Sequence, residues 1–212
     1  MKNKYVRPEY YLITKNFLTG NNLFVSPLLN QEGEERKTVG LEFLVAAPAD
    51  YQNTDSEVIS VFLDKQGVER DLAENNYQIQ CHKLCSNKIF NSWAERAIKT
   101  FNVTNNSGLI SLDFNDLVET LEVTKNHRFV FKTIAASEIL EGGNALEGIA
   151  STSNTLAYIA NAADISLEEF QAIAEAISNQ ADKKTLLNIA FFNSPEAEVT
   201  EVSLLYAQKN NF

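Results

Sequence analysis

The pattern of apolar and polar positions along the chain changes character near Ser86, where helical spacing first enters. Before it, short apolar or β-branched runs at 10–14, 23–26, 39–46 and 58–63 are separated by stretches rich in Gly, Asn, Pro and Glu. That pattern predicts strands and loops with little helix. Asp64-Lys65-Gln66-Gly67 has the composition of a hairpin turn, which predicts a returning strand at 68–72 and a further strand at 77–81.

After Ser86 the period becomes helical. Phe90, Trp93, Ala94, Ala97 and Phe101 fall at i, i+3, i+4, i+7 and i+11, one stripe of an amphipathic helix that stops before Asn105-Asn106-Ser107-Gly108. A boundary at 82–90 follows, dividing the chain into a β-rich N-terminal module, 1–86, and a second domain, 87–212.

The stretch 107–118 then joins a turn glycine, a short apolar lead-in and two acids three apart to a new helical pattern, Phe114, Leu117, Val118 and Leu121. Asp113 is placed to cap that helix and Asp116 to occupy its third position. Further on, 128–136 reads as a strand, and Gly142-Gly143 makes a long helix over 137–148 improbable. A strand at 155–161 comes next. Ser166 and Glu169 form a capping box, with Ile165 and Phe170 as hydrophobic staple, so a helix is predicted over 167–178. Two strands, 185–192 and 198–207, close the chain, and their short link predicts an antiparallel pair. The fold class expected is α+β, with helices layered on a mainly β sheet.

Composition supports a packed, ordered interior: 212 residues, 44% hydrophobic, with 13 Phe and 7 Tyr. No apolar run is long enough to span a bilayer and no leader is visible, so the chain reads as cytoplasmic. Net charge is −10 and uneven, about −1 over residues 1–100 and −9 over 101–212. The second half repels phosphate backbones and anionic membranes, which argues against nucleic acid and membrane as partners.

Candidate chemistry is sparse. Asp113 and Asp116 could orient a water or attract a cation, but the same pair is what a helix N-terminus favours for its free amides and dipole. Cys81-His82-Lys83-Leu84-Cys85 supplies two thiols and an imidazole; the only other histidine, His127, is remote, so a four-ligand zinc site is incomplete. No phosphate-cradling glycine pattern is present, which disfavours nucleotide binding by this chain and leaves no cofactor expected. Phe129, Phe131, Phe191 and Phe192 lack interleaved basic residues and read as core.

From about 107 to 207 the sequence resembles the C-terminal domain of FtsZ, the bacterial tubulin homologue of cell division. Gly108-Leu109-Ile110-Ser111-Leu112-Asp113-Phe114-Asn115-Asp116-Leu117 is similar to that family's catalytic loop, G-L-I-N-L-D-F-A-D-V, with seven of ten positions identical. The likeness continues in order through 129–137, 156–177 and the closing strands at 185–207, and the stripe from Phe90 to Phe101 corresponds to the end of the family's long central helix. The chain departs from the family at Ser111, which replaces an Asn, in a much shorter segment between Ser137 and Thr155, and in residues 1–86, which lack the glycine-rich signature of the GTPase domain.

In that family the loop aspartates of one subunit complete the nucleotide site of the next. The resemblance therefore implies a non-enzymatic protein that keeps the longitudinal surface without the receiving pocket. Gly108, Ser111, Asp113, Phe114 and Asp116 would form its interaction loop, and the partner would be a second copy or an FtsZ/tubulin-like subunit. The rival expectations are a structural subunit of a symmetric homo-oligomeric particle, tube or shell, and an enzyme using Asp113 and Asp116 with a metal or water.

Overall fold

The computed structural model describes residues 9–25, 38–53, 55, 57–81, 83–102, 114–122, 128–142, 146, 149, 154–161, 165–181, 185–193 and 198–207. Its strands are β1 (Glu9–Asn16), β2 (Asn22–Val25), β3 (Thr38–Val45), β4 (Val58–Asp64), β5 (Asn76–Cys81), β6 (Arg128–Ala135), β7 (Asn154–Asn161), β8 (Leu186–Asn193) and β9 (Glu201–Ala207). The helices are α1 (Asn87–Asn102), α2 (Phe114–Glu122), α3 (Ala136–Leu140) and α4 (Leu167–Gln180).

The strands form one mixed sheet in the order β2-β1-β3-β4-β5-β6-β9-β7-β8. From β1 through β3, β4 and β5 to β6, neighbours run parallel. β9 is antiparallel to β6 on one side and to β7 on the other, and β8 is parallel to β7. The position between residues 86 and 87 falls in the link from β5 to α1. The sheet runs across it through the β5–β6 register, Gln78 opposite Arg128 to Cys81 opposite Phe131. The protein is thus of the α+β class.

Alternation along the strands sends two residue sets to opposite faces. Leu41 and Phe43 of β3, Val61 and Leu63 of β4, Ile79 of β5, Phe129 and Phe131 of β6 and Leu156 and Tyr158 of β7 share one core with Phe90, Ala94, Ala97 and Phe101 of α1 and Leu117, Val118 and Leu121 of α2. The predicted α1 stripe is therefore the buried face of that helix. Phe101 stacks on Phe43 with centroids 5.8 Å apart, and the Trp93 indole N–H donates to the Phe131 carbonyl at 3.0 Å. The opposite face of β6, β9, β7 and β8 packs on Ile139 of α3 and Ile173 and Ile177 of α4 in a second core.

Phe129 and Phe131 are fully buried and Phe191 nearly so, in agreement with their reading as core. α4 starts as the sequence predicts: the Glu169 N–H donates to Ser166 Oγ at 3.1 Å and the Ser166 N–H to the Glu169 carboxylate at 3.2 Å.

Two pairings differ from expectation. The turn at Gly67 exists, with a φ of +85°, but β4 and β5 are parallel neighbours, so residues 65–75 form a crossover rather than a hairpin. β8 and β9 are not paired with each other; β7 lies between them. Seven residues separate their ends, and at roughly 3.3 Å per residue they readily span the ~10 Å of two strand spacings.

Candidate interaction surface

Gly108, Ser111 and Asp113 lie outside the described residues. Phe114 opens α2 and Asp116 is its third residue, inside the first turn, where a carboxylate complements the free amides and dipole. Leu117 and Leu121 are fully buried and Val118 nearly so, which fixes the helix on the sheet, while Asp116 is only half-buried. α2 thus holds this acid at the surface by a rigid apolar anchor.

The C-terminal ends of parallel strands are where doubly wound sheets hold ligands, and in this chain several residues at those ends bond to the chain's own groups. After β1, Asn16 Oδ1 accepts from the backbone N–H groups of Leu18 and Thr19, and Asn16 Nδ2 donates to Asn91 Oδ1 on α1 at 2.7 Å. After β4, Lys65 donates through Nζ to Asn87 at the start of α1. Cys81 ends β5 and Cys85 follows four residues on, with their sulfurs 3.9 Å apart. Among the described residues no group of three or more His, Cys, Asp or Glu is arranged to hold a metal, and His82 and His127 lie outside them.

Sequence reasoning missed a buried ionic cluster on the face of β3, β4 and β5 opposite α1. Arg70 donates from Nε to Asp64 Oδ2 at 2.6 Å and from one terminal nitrogen to Asp64 Oδ1 at 2.9 Å. Its remaining bonds go to the carbonyls of Ala47 and Pro48, and its guanidinium lies 4.3 Å from the Phe62 ring centroid. Gln78 adds an N–H bond to Asp64 Oδ2 at 2.8 Å and another to the Val68 carbonyl. The cluster ties the start of the loop after β3, at Ala47 and Pro48, and the crossover 65–75 over the sheet where no helix covers it among the described residues. Next to it, Glu42, 3% exposed, pairs with Lys15 and accepts from Ser60 Oγ. The one sequence signal was the polar alternation Glu42, Ser60, Asp64, Gln78 and Gln80 within otherwise apolar strands.

A shallow apolar groove of about 470 Å³ runs between α4 and the edge strand β8, lined by Leu167, Phe170, Ala174, Leu187 and Ile189. Glu175 on its rim accepts from Gln171 at 2.7 Å.

This architecture is that of the FtsZ/tubulin fold. FtsZ from M. jannaschii, in an empty dimer, superposes with a TM-score of 0.55 at 12% identity, covering 81% of this chain and 63% of that one. A point mutant of the same FtsZ gives 0.54 at 12% identity, with coverages of 81% and 65%. The GDP-bound monomer of CetZ1 from Haloferax volcanii gives 0.51 at 10% identity, with coverages of 82% and 65%. The chain therefore spans less than two thirds of the length of these structures. No family model matches the sequence, and no curated protein matches it. Four fifths of the chain superposes, more than the part after residue 86 could supply alone, so the likeness reaches into residues 1–86. No helix among the described residues is long and apolar enough to cross a membrane.

Proposed function

We propose that this chain is a non-enzymatic interaction or assembly protein of cytoskeletal or cell-division type. It would use the loop bearing Gly108, Ser111, Asp113, Phe114 and Asp116 as a longitudinal contact. The observation that carries this reading is the placement of Asp116: half-buried, at the start of a helix whose apolar side is locked into the core of an FtsZ-like fold. Such a rigid acidic helix start suits a docking contact, since little ordering remains to be done on binding.

The absence of enzymatic activity is inferred from the strand ends. Asn16, Lys65 and the Cys81–Cys85 link stand at the ends of the parallel strands where a nucleotide would otherwise sit, and each is engaged with the chain's own groups. The partner is a second copy or an FtsZ/tubulin-like subunit. A chain that offers the acidic loop without a receiving pocket would occupy the end of a filament and stop its growth.

Equilibrium dialysis against GTP combined with co-sedimentation tests this reading. The expected result is no retained nucleotide, together with concentration-dependent self-association or pelleting with FtsZ-like filaments. Stoichiometric GTP binding would contradict the non-enzymatic reading, and a monomer that pellets with nothing would contradict the assembly role.

A further inference from the structure

Cys81 ends β5 and Cys85 lies four residues on, immediately before Ser86, whose carbonyl accepts the Phe90 N–H as α1 begins. Both thiols are free and their sulfurs stand 3.9 Å apart. A disulfide needs about 2.05 Å, so the two sulfurs must approach by roughly 1.9 Å to close the bond. The two sulfurs differ in access: Cys81 is 2% exposed, whereas Cys85 is half-buried at the margin of the core.

We propose that Cys81 and Cys85 form a reversible thiol–disulfide pair whose oxidant is a low-molecular-weight disulfide of the glutathione class. Oxidation would fix the link between β5 and α1 as a closed five-residue ring. This site is separate from the loop at Asp113 and Asp116, and its test does not depend on that reading.

The exchange runs in two displacements. The Cys85 thiolate attacks one sulfur of the oxidised disulfide; the S–S bond breaks and one small thiolate leaves, taking up the proton released by Cys85. The Cys81 thiolate then attacks Cys85 Sγ, forming the protein disulfide and expelling the second small thiolate, which takes the proton from Cys81. Two electrons pass from the protein to the small disulfide, yielding two small thiols. The order follows from access and acidity: burial raises the Cys81 thiol above its ordinary value, which makes it the poorer first nucleophile. The backbone of Lys83 opposes that rise and favours the Cys81 thiolate for the second step.

The ring encloses Lys83 and Leu84, and Leu84 is 81% exposed, with Ile89 of α1 a further exposed apolar side chain at 55%. Closing the ring fixes how this apolar knob is presented beside the start of α1. The pair is thus a redox-dependent lock on one small surface feature rather than a structural staple.

The test equilibrates the full chain in glutathione buffers of rising oxidised fraction, quenches with acid, labels remaining thiols with N-ethylmaleimide and measures intact mass. The expected product is a single monomeric species without label or adduct, lighter by two hydrogens. In Cys81→Ala the remaining Cys85 should acquire glutathione about ten-fold faster than Cys81 does in Cys85→Ser. Trypsin cleavage after Lys83 should slow about ten-fold in the oxidised form, because a closed ring resists the extended geometry that a protease needs. The proposal is overturned if wild-type protein keeps both labels or carries two glutathiones in buffers that glutathionylate Cys81→Ala. It is equally overturned if the disulfide forms between chains, or if oxidation leaves cleavage at Lys83 unchanged. Cys85→Ser, at a half-buried position, keeps the test valid should Cys81→Ala fail to fold.

Discussion

Arg70 and Asp64 form a two-pronged ion pair in which each side chain is 2% exposed, at 2.6 Å through Nε and 2.9 Å through a terminal nitrogen. Removing one partner leaves a buried charge without its counterion, which costs about 3–5 kcal/mol. Arg70→Ala should therefore lower the unfolding free energy by that order, read as a fall in the urea midpoint at unchanged slope. Arg70→Lys should recover less than half of the loss, because one ammonium cannot reach both carboxylate oxygens and the carbonyls of Ala47 and Pro48 together. A neutral effect of Arg70→Ala would mean that the crossover loops are held by something else.

Thr120 is fully buried within α2, and its hydroxyl has no hydrogen-bond partner among the described residues. An unsatisfied buried hydroxyl carries a desolvation cost that an apolar group of the same shape avoids. Thr120→Val should raise stability by about 1 kcal/mol, read as an upward shift of Tm. A destabilised variant would show that the hydroxyl is bonded in solution.

Tyr77, 3% exposed, has its phenol pushed from its ordinary 10 to about 12, first by burial and then by Glu122 and Glu74. Between those values the native state holds a proton that the unfolded chain has released. Stability is therefore fully present below pH 10 and falls as pH rises towards 12. In Tyr77→Phe this loss should be smaller by an amount of order 2 kcal/mol, measured by urea unfolding across that range. Parallel curves for the two proteins would contradict the assignment.

Most elements were legible in the sequence because each is written in local chemistry. The α1 stripe from Phe90 to Phe101 and the Ser166–Glu169 box need only near neighbours to be recognised. Strand pairing is a different matter, since β-branched runs look alike whether they pair in parallel or antiparallel fashion. The Asp64–Gly67 turn was read as a hairpin because nothing local reveals that Arg70, six residues on, returns to Asp64 and ties the loop across the sheet. The last two strands were read as a pair because the link is short, yet β9 bonds to β6 and β7. The resemblance at 108–117 pointed to the fold. The Asp64–Arg70 cluster stayed hidden, since a polar alternation within strands looks the same on a solvated face as beneath a loop.

Whether the acidic loop ahead of α2 is a docking contact is decided by the double variant Asp113→Ala/Asp116→Ala. Analytical ultracentrifugation of the full chain, alone and with an FtsZ-like subunit, compares the variant with wild type. The expected outcome is wild-type association weakened at least about ten-fold in the variant, equivalent to 1.4 kcal/mol or more, with the variant still cooperatively folded and its Tm lowered only by the loss of two carboxylates from a helix start. Association of wild-type strength in a folded double variant would contradict the account.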